Sequence, residues 1–389
     1  MLTILNVKIT GFRLLEDSFE LDLSPKARVY EKDLEKEVYE PAPGLFAFHS
    51  IAFVGGNSSG KSTVLALLYK SLVLLQTGRW GYDPFDFRGE DMKLSIMFYL
   101  EGKLFSYSCR LLKPSEPSSS YCPIEDEALF HARYDRVRGK KNIALFDSEK
   151  EDGGIIFEYS LFDTSAITKI TQGKASVDAF YSNSAFTFQD AVVRNSFYLS
   201  LGCLDEGLVS SLVGLLDESI EKLSPDGEGG FLFKRCGEAE VSLKLGELTR
   251  VLSAGTFRGV ELYIRAIKAL KEGRVLIVDE IESCFHKNLV YNLLFLFNDS
   301  SLNRKGASLL FSTHYVEILD YLSRRDDVFI THKEKGRVLI SNLYADYDVR
   351  TELLKSRQFD NNVFNTSLNY ERLLKVKKGI ADELDPANG

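Results

Sequence analysis

Residues Gly55–Ser62 read Gly-Gly-Asn-Ser-Ser-Gly-Lys-Ser, matching G-x-x-x-x-G-K-[ST] at every fixed position. This octapeptide constrains the fold because it works only between a strand and a helix. The apolar run Ile51-Ala52-Phe53-Val54 precedes it, and the helical stretch Thr63-Val64-Leu65-Ala66-Leu67-Leu68 follows. In that setting the glycines let the backbone wrap closely, so successive N–H groups point inward at an anion. The helix N-terminus adds its partial positive charge. Gly55, Asn57, Ser58, Gly60 and Thr63 are the expected cradle for nucleotide phosphates. Lys61 is expected to reach the β- and γ-phosphates of ATP, and Ser62 to ligate Mg²⁺.

The 389 residues leave room for two or three domains, or one large domain with an insertion. Hydrophobic residues make up 44% and charged residues 27%, so a sizeable core is available. No apolar run approaches the roughly 18–20 residues a membrane helix needs. Residues 1–12 alternate and carry Lys8, unlike the apolar block of a signal peptide. Cys109, Cys122, Cys203, Cys236 and Cys284 form no C-x-x-C pair. Their scatter fits a reducing compartment and speaks against a disulfide framework or a zinc site. A cytoplasmic protein with no membrane partner is therefore expected. The net charge of −8 argues against a constitutive nucleic-acid clamp. One basic run stands out, from His131 and Arg133 through Arg136-Val137-Arg138-Gly139-Lys140-Lys141. It reads as a solvated hairpin tip first and a nucleic-acid or partner contact second.

Alternation predicts an N-terminal β-rich lobe. Leu5, Val7 and Ile9 alternate with Asn6 and Lys8, and Phe19, Leu21 and Leu23 alternate with Glu20 and Asp22. Residues 24–44 are polar with Pro25, Pro41 and Pro43, and read as a loop excursion. After the phosphate loop, a helix runs to about residue 76 and a Gly-rich loop covers 77–91. Two alternating sets, Leu94 to Leu100 and Phe105 to Leu111, flank Glu101-Gly102 and predict a hairpin. Further strands are expected near 128–134, 142–147 and 154–160, then a largely helical stretch over 186–223.

Three later elements bear on the phosphate loop. Arg274-Val275-Leu276-Ile277-Val278 is an aliphatic run ending in Asp279-Glu280. Such a run suits a buried parallel strand. Asp279 at its carboxyl end lies where a carboxylate reaches Mg²⁺ and its waters. Glu280, one residue on, can act as the base for the water that attacks the γ-phosphate. A helix-capping acid pair is the competing reading, and the phosphate loop in the same chain favours catalysis. Ser253-Ala254-Gly255 precedes a helix over about 257–271. Ser253 and Gly255 offer a hydroxyl and free N–H groups, hence a second anion site, or simply a helix cap. One phosphate loop needs no second site in cis, so this one is expected to face the nucleotide of a second subunit. Leu309-Leu310-Phe311-Ser312-Thr313 is a strand ending in His314, which can hydrogen-bond a γ-phosphate or the attacking water.

These four elements, in this order, resemble the ATPase heads of the ABC superfamily, and within it the RecF/SMC-like group. Ile281-Glu282-Ser283 occupies the D-loop position. Ser253 to Arg258, Asp279 to Lys287, Leu296-Phe297-Asn298-Asp299, Phe311 to His314 and Arg324-Arg325-Asp326-Asp327 further resemble the RloA/AbiL-type AAA ATPases of bacterial anti-phage abortive-infection systems. Ile9-Thr10-Gly11-Phe12-Arg13 and the strand pair at 94–111 fit as well, so the likeness covers most of residues 1–350. The family's Leu-His-Pro is here Phe285-His286-Lys287. Gln76 and Gln189 are the candidates for a Q-loop glutamine.

The resemblance implies an α/β fold: an ABC-type P-loop ATPase head with an N-terminal β-rich lobe and an inserted β-hairpin and helical region. The expected division is 1–91 for the β lobe and phosphate loop, 92–240 for the insertion, 241–345 for the second half of the head, and 346–389 for a tail. It also implies ATP hydrolysis and a homodimer, or higher homo-oligomer, closed around ATP. A separate effector, a nuclease or toxin, is the implied protein partner, with a nucleic acid or phage component as a further one. A DNA-repair or chromosome-associated ATPase is the alternative; it would want a long coiled coil or a basic groove. A transporter subunit would place the phosphate loop and signature closer together. A small-molecule kinase would leave Ser253 and His314 unexplained. Asp346-Tyr347-Asp348 mimics a metal-binding Asp-x-Asp, without the upstream acid such a site needs.

Overall fold

Alternation along Leu2–Thr10 becomes β1, the second strand of an antiparallel sheet. The chain continues through β2 (Phe19–Asp22), a single helical turn α1 (Glu31–Leu34), and the hairpin β3 (Val38–Ala42) and β4 (Leu45–Phe48). Next come β5 (Ser50–Val54), the helix α2 (Lys61–Thr77), β6 (Asp91–Leu100), β7 (Lys103–Leu112) and β8 (Ile124–Arg133). Then follow β9 (Ile155–Glu158), β10 (Val177–Tyr181), α3 (Glu206–Leu216), β11 (Ile220–Pro225), β12 (Phe231–Arg235), β13 (Val241–Leu243), α4 (Leu245–Val251) and α5 (Ala254–Glu272). The last part holds β14 (Val275–Asp279), α6 (Lys287–Asn298), β15 (Ser308–Thr313), β16 (Val328–Glu334), β17 (Arg337–Asn342), α7 (Lys355–Asp360) and α8 (Tyr370–Glu383). The structure, a computed structural model, describes residues 2–134, 155–158, 171, 177–181, 201–202, 204–283, 287–348, 353–364 and 370–384. The basic run at 136–141, the strand expected at 142–147, Gln189 and Phe285-His286 lie outside these residues.

The expected α/β architecture is present. One sheet runs β2-β1-β6-β7-β8-β9, antiparallel throughout. The second runs β10-β14-β15-β5-β16-β17, with parallel pairing from β10 to β16 and an antiparallel edge strand β17. The strands at 91–133 therefore share a sheet with the N-terminal strands. Their hairpin turns at Glu101 (φ 48°) and Gly102 (φ 82°), the paired left-handed residues a two-residue hairpin requires.

Alternate residues of the parallel strands divide between two cores. Ile51, Phe53, Ile277, Leu310 and Phe329 face the antiparallel sheet and share a core with Val64, Leu65, Leu67 and Leu68 of α2. Ala52, Val54, Leu276, Val278, Leu309 and Phe311 form the second core with Leu262 and Ala266 of α5 and Leu293, Leu294 and Phe297 of α6. A third core joins β11–β13 to α3, α4 and the first turns of α5 through Phe257 and Val260.

Two expectations are corrected. Residues 24–44 are not all loop: they hold α1, β3 and the turn into β4. Proline is tolerated there because Pro41 lies in a two-stranded ribbon, where ladder bonds are few. Of the stretch 186–223, residues 186–200 and 203 lie outside the described residues, and its end is strand rather than helix, since α3 ends at Leu216 and β11 begins at Ile220. The apolar residues of that strand pack on the small sheet rather than on a continuing helix.

A buried charge cluster ties the segment before β16 to the N-terminal excursion, and α7 caps it from the other side. Arg324 pairs with Asp33 at 2.8 Å and Asp326 at 2.7 Å, and Lys355 donates to the Leu319 carbonyl at 2.9 Å. Asp327, 1% exposed, has no hydrogen-bond partner on either carboxylate oxygen among the described residues. Burial, reinforced by Glu37 and opposed by Lys355, pushes its carboxyl well above the ordinary range. Unfolded, this group ionises near about 3.9, so the folded chain loses stability as pH rises from there toward the raised folded value. Asp327→Asn removes that penalty. Its stability relative to wild type should rise as the pH is raised from about 4 toward neutrality, read by urea unfolding at a series of pH values. An unchanged difference would show that the folded carboxyl is ionised.

Candidate functional site

Three parallel neighbours deliver the site. Val278 of β14 lies opposite Phe311 of β15, and Thr313 of β15 lies opposite Val54 of β5. Their carboxyl ends thus open on one sheet edge, where ligands bind in sheets of this kind. Gly55 leaves β5 there, Asp279 ends β14 there, and His314 follows β15 there.

The phosphate loop is shaped from below by β16 and β17. Gly55 has φ +154° and Gly60 has φ +110°. A Cβ on Gly55 would lie 2.3 Å from the Thr331 carbonyl oxygen, and one on Gly60 would lie 2.4 Å from Val338 Cγ1. Ser59 Oγ and Thr331 Oγ1 are 2.6 Å apart. Asn57, Ser58 and Ser62 are exposed, and Thr63 is half-buried on the first turn of α2. Lys61, only 5% exposed, turns back and donates to the carbonyls of Gly55 at 2.9 Å and Gly56 at 3.1 Å. Burial pulls its pKa below the ordinary value, while the charges of Asp279, Glu282 and Glu280 oppose that pull. The ammonium thus sits at the loop's mouth on neutral carbonyls, facing three acids across the sheet edge. A polyphosphate is the ligand that would give it a full counter-charge.

The acids are held by β15. Ser312, completely buried, accepts the Glu280 N–H at 2.7 Å and donates to Asp279 Oδ1. The Ser312 carbonyl accepts the Ile281 N–H at 3.0 Å. Glu280 is in the left-handed region at φ 50°, unusual for a residue with a Cβ. Glu282, 8% exposed, accepts the His314 N–H on Oε1 at 2.6 Å, and its Oε2 has no partner among the described residues. The His314 residue itself is exposed. No cluster of three or more His, Cys, Asp or Glu that could hold a metal occurs among the described residues. Ser62, exposed at the start of α2, and Asp279, at the end of β14, carry the oxygen donors that Mg²⁺ takes one or two of beside substrate phosphates and water.

Ser253 and Gly255 are not drawn into this group by any hydrogen bond. Ser253 is the N-cap of α5, which starts at Ala254 rather than at 257: its Oγ accepts the Thr256 N–H at 3.0 Å. Ser253 and Ala254 are exposed. At about 1.5 Å per residue, α5 is about 28 Å long against about 17 Å for β14, on which it packs. Gln76 lies near the far end of α2; the fifteen positions from Lys61 span about 22 Å, which removes it as a phosphate-sensing glutamine. Asp346 accepts the Asn342 N–H at 2.6 Å and closes a turn. The sequence reading did not single out Ser312, Thr331 or Val338. A serine within Leu309–Thr313, otherwise apolar up to its last residue, was the one available signal, because a buried hydroxyl needs partners.

No protein-family model matches the sequence, and no curated protein matches it. Among solved structures, the SMC head domain from Thermotoga maritima is similar over 88% of this chain and 100% of its own, at 11% identity and a TM-score of 0.44. The dimeric post-hydrolysis state of an ATP-binding cassette bound to ADP and Pi is similar over 89% of this chain and 100% of its own, at 12% identity and a TM-score of 0.33. Likeness of this degree carries no functional weight.

The packing under the loop gives a direct test. Gly60→Ala should destabilise the chain by about 2–4 kcal/mol, through overpacking on Val338 and a left-handed φ. Removing the obstructing methyls with Val338→Ala should return about half of that loss in a double-mutant cycle read by urea unfolding. Strict additivity of the two substitutions would show that Val338 does not shape the loop.

Proposed function

We propose that this chain is an ABC-type ATPase. The convergence of Lys61, the Asp279–Glu280 pair and His314 on one edge, through the parallel register of β14, β15 and β5, carries this reading. In it, Gly55, Asn57, Ser58, Gly60, Lys61 and Thr63 hold the phosphates of ATP. Ser62 and Asp279 hold Mg²⁺, which, when bound, neutralises charge building up between the β- and γ-phosphates. Glu280 takes a proton from the attacking water, and His314 contacts the γ-phosphate or that water. A Lys61 ammonium already inside the loop costs little reorganisation when it exchanges carbonyls for phosphate oxygens.

In this reading the site is completed by a second copy of the chain. The exposed start of α5, with Ser253 and Gly255, makes no hydrogen bond to the chain's own phosphate loop, and its amides suit an anion presented by another subunit. Loss of the γ-phosphate would loosen such a dimer, an order–disorder switch driven by one phosphoryl group. The motif resemblance to the RloA/AbiL-type ATPases supports a role as sensor and regulator of a separate effector, a nuclease or toxin, in anti-phage defence. No helix among the described residues is long and apolar enough to cross a membrane.

Glu280→Gln tests the chemistry. It should bind MgATP at wild-type affinity and lose at least about 10²-fold in hydrolysis rate, the usual worth of a positioned base. It should also accumulate as an ATP-bound dimer by light scattering, while Lys61→Ala, which loses the phosphate contact, stays monomeric in ATP. Wild-type turnover by Glu280→Gln would place the base elsewhere.

A further inference from the structure

We infer that Ser312 is a positioning residue for the acid pair, setting the Mg²⁺ ligand Asp279 and the base Glu280 through one hydroxyl; this rests on the ATPase reading above. A single Oγ does two jobs here. It accepts the Glu280 N–H at 2.7 Å and donates its own proton to Asp279 Oδ1. A hydroxyl is the smallest side-chain group able to donate and accept through one atom. Ser312 is 0% exposed, so water cannot take over either bond when the hydroxyl is removed.

The arrangement matters because the two acids leave the strand in different ways. Asp279 is the last residue of β14, whereas Glu280 has already turned into the left-handed region at φ 50°. Its N–H is held by Ser312 Oγ, and the next N–H, that of Ile281, by the Ser312 carbonyl. One residue of β15 thus holds two successive amides and one carboxylate oxygen of the neighbouring strand's exit. Donation to Oδ1 also fixes the plane of the Asp279 carboxylate, leaving Oδ2 outside that bond for a cation. Two residues further on, the His314 N–H returns the tie by donating to Glu282 Oε1 at 2.6 Å. Exits of β14 and β15 are therefore latched together at both ends of the acid turn. The four hydrogen bonds of this latch join the exits of β14 and β15, and none of them runs to the phosphate loop, so ATP alone should bind without it, while Mg²⁺ and catalysis should need it.

The test compares wild type with Ser312→Ala and Ser312→Cys. The cysteine keeps the volume of the site but donates and accepts weakly, and it carries the test if the alanine variant fails to fold. Each variant's ATP affinity is measured by calorimetry in EDTA and in Mg²⁺, alongside kcat. In EDTA both variants should bind ATP within about threefold of wild type. The gain in affinity that Mg²⁺ brings should fall about tenfold and kcat about 10–10²-fold, as for partners that orient a metal ligand. A wild-type Mg²⁺ gain and kcat in Ser312→Ala would overturn the assignment. Equal loss of ATP affinity with and without Mg²⁺ would overturn it too, since that marks general damage to the site. Failure of wild type itself to hydrolyse ATP would refute the ATPase reading; a Mg²⁺ gain lost in the variants would then still assign Ser312 to the metal arm.

Discussion

Parallel pairing of β5 with β15, in register from Ser50 opposite Leu309 to Val54 opposite Thr313, is the constraint on which the rest of the molecule depends. A strand has a side-chain period of two, so a slip of one residue would exchange its faces. Ile51 and Phe53 would then leave the core shared with α2, and Ala52 and Val54 would leave the core shared with α5 and α6. Both cores sit on either side of the same strand, so each fixes the register for the other. The same pairing sets the height at which Gly55 and His314 leave the sheet. Packing energy spread over two hydrophobic cores thus determines where a few polar groups meet at one edge.

That edge concentrates the backbone conformations that side chains disfavour. Gly55 and Gly60 have positive φ with no space for a Cβ, and Ser58 (φ 59°) and Glu280 also lie in the left-handed region. Such residues persist where surrounding contacts over-determine them. Below the phosphate loop those contacts are Thr331 and Val338; beside the acids they come from Ser312. Burial of Lys61 against carbonyls, with three carboxylates opposing the loss of its charge, fits a lysine held ready for phosphate.

The main elements of the site could be read from the sequence because each is a local pattern. Gly55–Ser62 fixes its own strand and helix, and the aliphatic run before Asp279 specifies a buried parallel strand. Supporting residues could not be read, because their roles depend on neighbours across the sheet. Thr331 and Val338 lie about 270 positions after the loop they shape, on strands β16 and β17; Lys335-Gly336 marks the hairpin between them, but nothing local ties that hairpin to the phosphate loop. Ser312 gains its meaning only when β15 lies beside β14. In the excursion after residue 24, proline and charge read as loop, yet Leu45, Ala42 and Val38 are buried in tertiary packing that local propensity does not encode. The start of α5 shows a different limit: Ser253 caps its own helix in the monomer, and whether it also meets a phosphate depends on a second chain.

The central claim is that one ATP is shared between two subunits, and mixing Ser253→Arg with Lys61→Ala tests it most directly. Each variant alone should be inactive, Ser253→Arg because it blocks the helix start and Lys61→Ala because it empties the loop. A heterodimer joins an intact phosphate loop to an intact Ser253 and so rebuilds one complete site. Equal mixing should restore about half of the wild-type ATPase rate if the sites fire independently, since neither variant closes with itself and each heterodimer carries one good site of two. Full activity of Ser253→Arg by itself, or an inactive mixture in which differently tagged heterodimers are demonstrated, would contradict the account.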